Sequence, residues 1–242
     1  MIYMALSGRD ALLLEKVEGM IVFTDFDAGK LLGIPADASR RMLSRLAKRG
    51  AVVRIERGKY VTAEIFDGWD ARELATRVIE PSYVSFLSGL HMRGMSAQVP
   101  RETTLASTVS RRPFVLQGGR VRCVRVRRRM FFGYEEVGRS IVGEPEKLVV
   151  DCLAFPAYSG GETEGAIKGR LSARKLVDYA VRCGSAAACS RLGYLLELNG
   201  LDFDRERLIA HSSGSYVRLD PARGGERIRA WHLLVGGESR AD

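Results

Sequence analysis

Between Asp37 and Thr62 the chain places Arg40, Arg41, Arg45, Lys48, Arg49, Arg54, Arg57 and Lys59 against only two acids, Asp37 and Glu56. Arginine at this density suits one kind of chemistry. Its planar guanidinium pairs bidentately with the edge of guanine or with phosphate oxygens, while lysine adds a point charge. A second run, from Arg101 to Met130, holds Arg101, Arg111, Arg112, Arg120, Arg122, Arg125, Arg127, Arg128 and Arg129 against Glu102 alone. Together the two runs contain more than the whole net charge of +9 of this 242-residue chain. The excess is therefore concentrated, and a polyanionic partner is expected.

Other chemistries find less support. Glu144, Glu146, Lys147 and Asp151 invite comparison with a metal-dependent nuclease, which needs carboxylates and a lysine converging on one cation. Here the acidic and lysine residues open a helix instead of lying on a strand, and Glu146 and Asp151 are five positions apart. Helix capping and solvation are the expected roles of this group. Cys123, Cys152, Cys183 and Cys189 form no C-x-x-C pair and are joined by only His91, His211 and His232. Spacing offers no zinc site, so buried free thiols are expected, with a Cys183–Cys189 disulfide as the alternative. The histidines have no adjacent Ser or Cys nucleophile pattern, and neither glycine-rich phosphate loop occurs. No catalytic residue, metal or cofactor is expected, and the chain reads as a non-enzyme.

The elements that must position the first basic run follow from periodicity. Ala11, Leu13, Leu14 and Val17 predict a helix from Gly8 to about Glu18. Thr24 caps a second, Asp25 to Leu32, with Phe26, Leu31 and Leu32 expected inside. A third runs from about Asp37 to Lys48 and is stopped by Gly50. At 100° per residue Ser39, Met42, Leu43, Leu46 and Ala47 gather on one side of it, and Asp37, Arg41, Ser44, Arg45 and Lys48 on the other. The second face suits a helix lying in a DNA major groove, with Arg40 at its edge. Ala51 to Val61 alternates around Arg57-Gly58 and predicts a hairpin whose Arg54, Arg57 and Lys59 would reach phosphates. Three helices and a basic hairpin make a winged helix-turn-helix over residues 1–66. The expected DNA-binding residues are Arg40, Arg41, Ser44, Arg45, Lys48, Arg54, Arg57 and Lys59. A solvated amphipathic surface or a protein-binding winged helix are the alternatives.

Residues 67–80 read as a linker with a bridging helix from Ala71 to Val78, and 81–242 as a larger mixed α/β domain, so the fold class is α+β. In the second domain a helix is expected from Tyr83 to Met92. Strands follow at Thr103–Thr108, Pro113–Gln117 and Arg120–Val126, with a Gly118-Gly119 turn and a bulge between Cys123 and Val124. Arg120, Arg122, Arg125, Arg127, Arg128 and Arg129 form a candidate second basic surface for DNA, RNA or an acidic partner, or a solvated edge strand. Helices are expected from Pro145 to Leu153, Ser172 to Arg182, Ser185 to Asn199 and Asp204 to Ala210. Closing strands are expected at Tyr216–Leu219 and Ile228–Val235.

Apolar residues make up 46% and charged residues 28% of the chain, as in folded globular proteins. The longest apolar stretch, Leu148 to Phe155, is interrupted by Asp151 and falls well short of the roughly 20 residues needed to span a bilayer. The opening residues lack an export pattern, so a cytoplasmic location away from membranes is expected.

Three segments together are similar to a known family. They are Arg57-Gly58-Lys59-Tyr60 at the end of the wing, the run from Pro81 through Ser85, Phe86 and His91 to Gly94, and Glu144 through Lys147 to Asp151. The chain resembles the AbiEi family, the antitoxins and transcriptional autorepressors of AbiE-type (type IV) toxin-antitoxin systems. The likeness extends over most of the chain through short motifs, and the glycine-rich carboxy terminus departs from it. The resemblance implies binding of duplex DNA at repeated elements in the chain's own promoter. It also implies functional pairing with a nucleotidyltransferase-like toxin, countered without a stable complex. A stand-alone winged-helix transcription factor with a ligand-sensing second domain is the alternative.

Overall fold

The computed structural model describes residues 7–169, 171–220 and 225–236. The chain divides into two compact units: one runs to Glu80 and takes in Leu116–Gly118, and the other begins at Pro81.

In the first unit, α1 (Gly8–Val17) starts at a reciprocal cap. Ser7 Oγ accepts the Asp10 amide at 3.2 Å while the Asp10 carboxylate accepts the Ser7 amide at 3.4 Å. After β1 (Phe23–Thr24) the same device, Thr24 with Asp27, opens α2 (Asp25–Leu32). Each such cap is worth about 1 kcal/mol, because it satisfies amides that the first helical turn leaves unpaired. Next come α3 (Ala36–Lys48), β2 (Val52–Glu56) and β3 (Lys59–Thr62). The three strands form an antiparallel sheet in the order β1-β3-β2. Leu13, Val17, Phe23, Ala28, Met42, Leu43, Leu46, Val52 and Tyr60 form the core between helices and sheet.

Phe26 departs from expectation, being 72% exposed. The helix α2 buries Ala28 and Gly29 instead, and the Ser39 hydroxyl of α3 donates to the Asp25 carbonyl at 2.8 Å. Small residues let the two helices approach closely, and Phe26, in the first turn of α2, is left in solvent. The stretch expected as a bridge lies in the first unit, where α4 (Ala63–Gly68), unforeseen from the sequence, precedes α5 (Ala71–Val78).

The second unit begins with β4 (Ser82–Val84), not with a helix, and α6 (Phe86–Met92) follows. Tyr83 and Val84 are both fully buried because β4 is an inner strand with neighbours on either side, which produces a continuous apolar run without alternation. The remaining strands of its sheet are β5 (Thr103–Ser107), β6 (Phe114–Leu116), β7 (Gly119–Arg125), β8 (Tyr134–Val137) and β9 (Ser140–Gly143). Their order is β6-β7-β5-β4-β9-β8. The expected bulge is absent, since β5 and β7 pair in parallel without a break from Thr103↔Val121 to Ser107↔Arg125. The buried side of β7 changes along its length, from Val121 on one face to Val124 on the other, and this imitates a phase slip. Gln117 and Gly118, with φ of 48° and 75°, are the turn between β6 and β7, in place of Gly118-Gly119.

Helices α7 (Pro145–Ala154), α8 (Thr163–Ile167), α9 (Ala173–Cys183), α10 (Ala186–Leu198) and α11 (Arg205–Ala210) complete the α layer. Every residue from Glu146 to Leu153 of α7 is buried, the pattern of a central helix. The hairpin of β8 and β9 and the short α8 were not foreseen. A small sheet, β10 (Val217–Arg218), β11 (Glu226–Ile228) and β12 (Leu233–Val235), follows in the order β10-β12-β11. The single closing strand expected over Ile228–Val235 is divided by a 3-10 turn at Arg229–Trp231. That turn seats Trp231 on α10, where Gly193 leaves the room: a Cβ there would lie 2.2 Å from the indole. Among the described residues no helix is long and apolar enough to cross a membrane.

Candidate nucleic-acid interface

The third helix divides as its periodicity requires. Ser39, Met42, Leu43 and Leu46 are buried, while Asp37, Arg41, Ser44, Arg45 and Lys48 are exposed. Next to it β2 and β3 form the wing. Its Arg57-Gly58 turn has Gly58 at φ +78°, and the Gly58 carbonyl accepts the Asp25 amide at 3.2 Å. A side chain at Gly58 would be strained and would press on the Asp25 carboxylate, 3.3 Å from its Cβ.

The expected DNA-binding residues fall into two groups. Arg41, Ser44 and Lys48 on α3 and Arg57 at the wing tip are exposed and make no partner among the described residues. Arg54 is exposed too, donating among the described residues only to the neighbouring Glu56 carbonyl, at 3.2 Å. The other three are held by the unit itself. Arg40 lies between Asp25 at 2.7 Å and Asp37 at 3.2 Å. The Lys59 ammonium meets Glu56 at 3.0 Å and donates to the Val78 carbonyl at 2.8 Å.

Arg45 reaches back to Asp10 of α1 at 2.8 Å, and Arg49 approaches the same carboxylate at 3.5 Å. Burial pushes the Asp10 carboxyl up, but hydrogen bonds from Arg45 and Ser7 outweigh it and hold the group below its usual value. Asp10 was legible only as a first-turn acid; its partner lies 35 residues away and follows no local spacing.

With a capped helix pair, an exposed cationic third helix and a basic wing in place, this segment can be compared with known families. Residues 18–63 match the family of AbiEi antitoxin transcriptional regulators. The AbiEi match runs from the end of α1 through β3, so it contains Arg41, Ser44, Lys48, Arg54 and Arg57. It ends before the Pro81–Gly94 and Glu144–Asp151 segments that also carried the resemblance. No curated protein matches the sequence.

The second basic run is also divided. Arg120 and Arg122 both pair with Glu102, the former at 3.2 Å. Arg129 donates to the Gly184 carbonyl. Arg125, Arg127 and Arg128 are exposed and make no partner among the described residues.

The group Glu144, Glu146, Lys147 and Asp151 is not the solvated set that was expected. Lys147 and Asp151 are wholly buried and paired with each other. Asp151 accepts from Tyr83 Oη at 2.8 Å and Ser85 Oγ at 2.7 Å, and the Lys147 ammonium donates to Tyr83 Oη at 2.8 Å. Burial, then the Asp151 charge, pushes the Tyr83 phenol well above its ordinary value and keeps its proton in place. Glu144 and Glu146 meet Lys175 at 2.7 and 3.1 Å. Among the described residues no three His, Cys, Asp or Glu side chains converge on a metal-sized site.

All four cysteines are free thiols, so Cys183 and Cys189 are not joined. Burial pushes both of these up to about 11, leaving them protonated near neutrality and poorly nucleophilic.

Proposed function

We propose that this chain is a sequence-specific DNA-binding transcriptional regulator, the antitoxin and autorepressor of a type IV toxin-antitoxin operon. The observation that carries the reading is the exposed, unpaired row Arg41, Ser44 and Lys48 on α3 beside the wing-tip Arg57, inside the segment that matches AbiEi regulators. In this mechanism Lys48, Arg54 and Arg57 engage phosphates and set the register, while Arg41 and Ser44 read base edges. Arg40 and Arg45 remain on their carboxylates and fix the helix that presents the readers. Double-stranded DNA upstream of the chain's own gene, with repeated elements, is the partner. A nucleotidyltransferase-like toxin encoded alongside is the one countered. The chain works in the cytoplasm, without cofactor or catalytic activity.

The test is binding of the full chain to its own upstream DNA and to a scrambled duplex of equal length, across a salt series. Wild type is expected to prefer the upstream duplex. Arg41→Ala should weaken that preference by about 1–3 kcal/mol, the worth of one bidentate base contact. Arg57→Ala should weaken both duplexes alike and lower the salt slope by about one phosphate contact. Equal loss on both duplexes for Arg41→Ala would remove it as a reader, and no preference in wild type would sink the regulator reading.

A further inference from the structure

A cleft of about 400 Å³ opens in the second unit between the end of β7 and the start of α10. Arg125, Arg127 and Arg129 line it together with Ser185 and Ala186, and Phe155 is among its apolar lining residues. Among the described residues no Asp or Glu lines it. Arg129 is anchored on the Gly184 carbonyl, whereas Arg125 and Arg127 point their charge at no acid among the described residues. Three guanidinium groups around one recess repel each other, and a bound polyanion relieves that repulsion.

The start of α10 strengthens the same field. It is a 13-residue helix whose cap, Ser185, accepts the Ala188 amide at 3.3 Å. The amides of Ala186 and Ala187, the first two of the helix, have no acceptor within it and lie at the positive end of its dipole. Planar guanidinium forks and a helix start are what phosphate oxygens bind best. A convex basic surface would suit a nucleic-acid backbone with one charge per phosphate. This recess, with Phe155 in its lining, instead suits a compact ligand carrying several charges at one end.

We propose that the cleft binds a nucleoside di- or triphosphate. Its phosphates lie across Arg125, Arg127 and the start of α10, with Arg129 held alongside, and its nucleoside rests against Phe155. Every named residue of the site belongs to the second unit, whereas the DNA-reading residues belong to the first.

Isothermal titration of the full chain with ATP, in EDTA, tests this, with pyrophosphate and adenosine as parallel titrants. ATP should bind saturably at one site, more tightly than pyrophosphate, and adenosine should give no measurable binding. Arg125→Ala and Arg127→Ala, at exposed positions, should each weaken ATP by about tenfold or more, the loss of a charged hydrogen bond. Ala186→Glu places a carboxylate where the phosphates would sit while suiting the first turn of a helix, so it should abolish binding with the melting temperature kept. Arg41→Ala should leave ATP binding unchanged, which keeps this result separate from the DNA experiment. The proposal is overturned if ATP gives no saturable binding, or if all three cleft substitutions leave its affinity unchanged. It is also overturned if random-sequence duplex DNA displaces ATP and the same substitutions weaken that duplex, because the cleft is then a nucleic-acid contact.

Discussion

Asp10 in the first unit and Asp151 in the second are each withdrawn from solvent, at 1% and 0% side-chain exposure, and each meets a cation, but the cations differ. Arg45 remains 46% exposed while it holds Asp10, so its charge stays on the outer face of α3. Lys147 is as buried as Asp151 and sits between the Tyr83 and Phe132 rings, 5.4 and 5.1 Å from their centroids. In the first unit a buried acid steadies a cationic surface next to unpaired Arg41 and Lys48. In the second, charge is enclosed in a core, where it fixes the position of α7 against β4. A buried aspartate paired with a cation therefore serves display in one unit and internal register in the other.

The largest effect is expected from breaking the enclosed pair. Lys147→Met leaves the Asp151 carboxylate buried without a cation and should cost about 3–5 kcal/mol of stability. Adding Asp151→Asn to it should recover a substantial part, since the amide oxygen can still accept from Tyr83 and Ser85. Urea unfolding in a Trp69→Phe background measures this, because fluorescence then comes from Trp231 of the second unit. A loss under about 1 kcal/mol for Lys147→Met would mean that the pair is hydrated and that the contrast with Asp10 is false.

These two pairs also mark where sequence reasoning succeeds and where it stops. The first unit was readable because each element is announced locally: Thr24 caps α2, Gly50 stops α3, Arg57-Gly58 turns the wing, and the period of α3 separates its faces. The pairing of Arg45 with Asp10 was not readable, because it depends on how α1 lies against α3. Lys147 and Asp151 are four apart on a helix, a spacing that ordinarily means a solvated ion pair. Only the packing of β4, α9 and α10 around α7 makes them interior. Strand β4 gave no alternation because both of its faces are covered, and β8 gave none because all four of its residues are exposed. The exposure of Phe26 and the burial of Gly29 likewise turned on close helix contact that periodicity cannot see.

A second substitution asks whether the core around Trp231 is as closely filled as the pocket of Lys147. At Gly193 an added methyl would meet the indole at 2.2 Å, so either Trp231 or α10 must move. Gly193→Ala should therefore cost about 1–3 kcal/mol, the usual penalty for overfilling a packed interior. The indole also donates to Glu197 at 2.7 Å, so its displacement should shift the Trp231 emission to longer wavelength. Unchanged stability and emission would indicate a loosely held tryptophan and an interior less tightly specified than that around α7.

The smallest effect tests the display side of the comparison through pH. The Asp10 carboxyl is held below its ordinary value of 3.8 in the folded chain, so its contribution to stability is present above that value and is lost as pH falls through the lower, folded one. Arg45→Ala removes the main source of that depression, although Ser7 and Arg49 remain on the carboxylate. Because Arg45 is half exposed and partly screened, the expected cost at neutral pH is about 1 kcal/mol, confined to the first unit. Hydrogen exchange of the α1 and α3 amides in wild type and Arg45→Ala, at pH 7 and pH 3, measures it where it acts. The difference in opening free energy should shrink at pH 3, below the ordinary carboxylate value, where the opened segment takes up a proton that the folded one resists. A difference as large at pH 3 as at pH 7 would mean that Arg45 stabilises the unit by packing its shaft instead of by charge, and that Asp10 does not hold the cationic face in place.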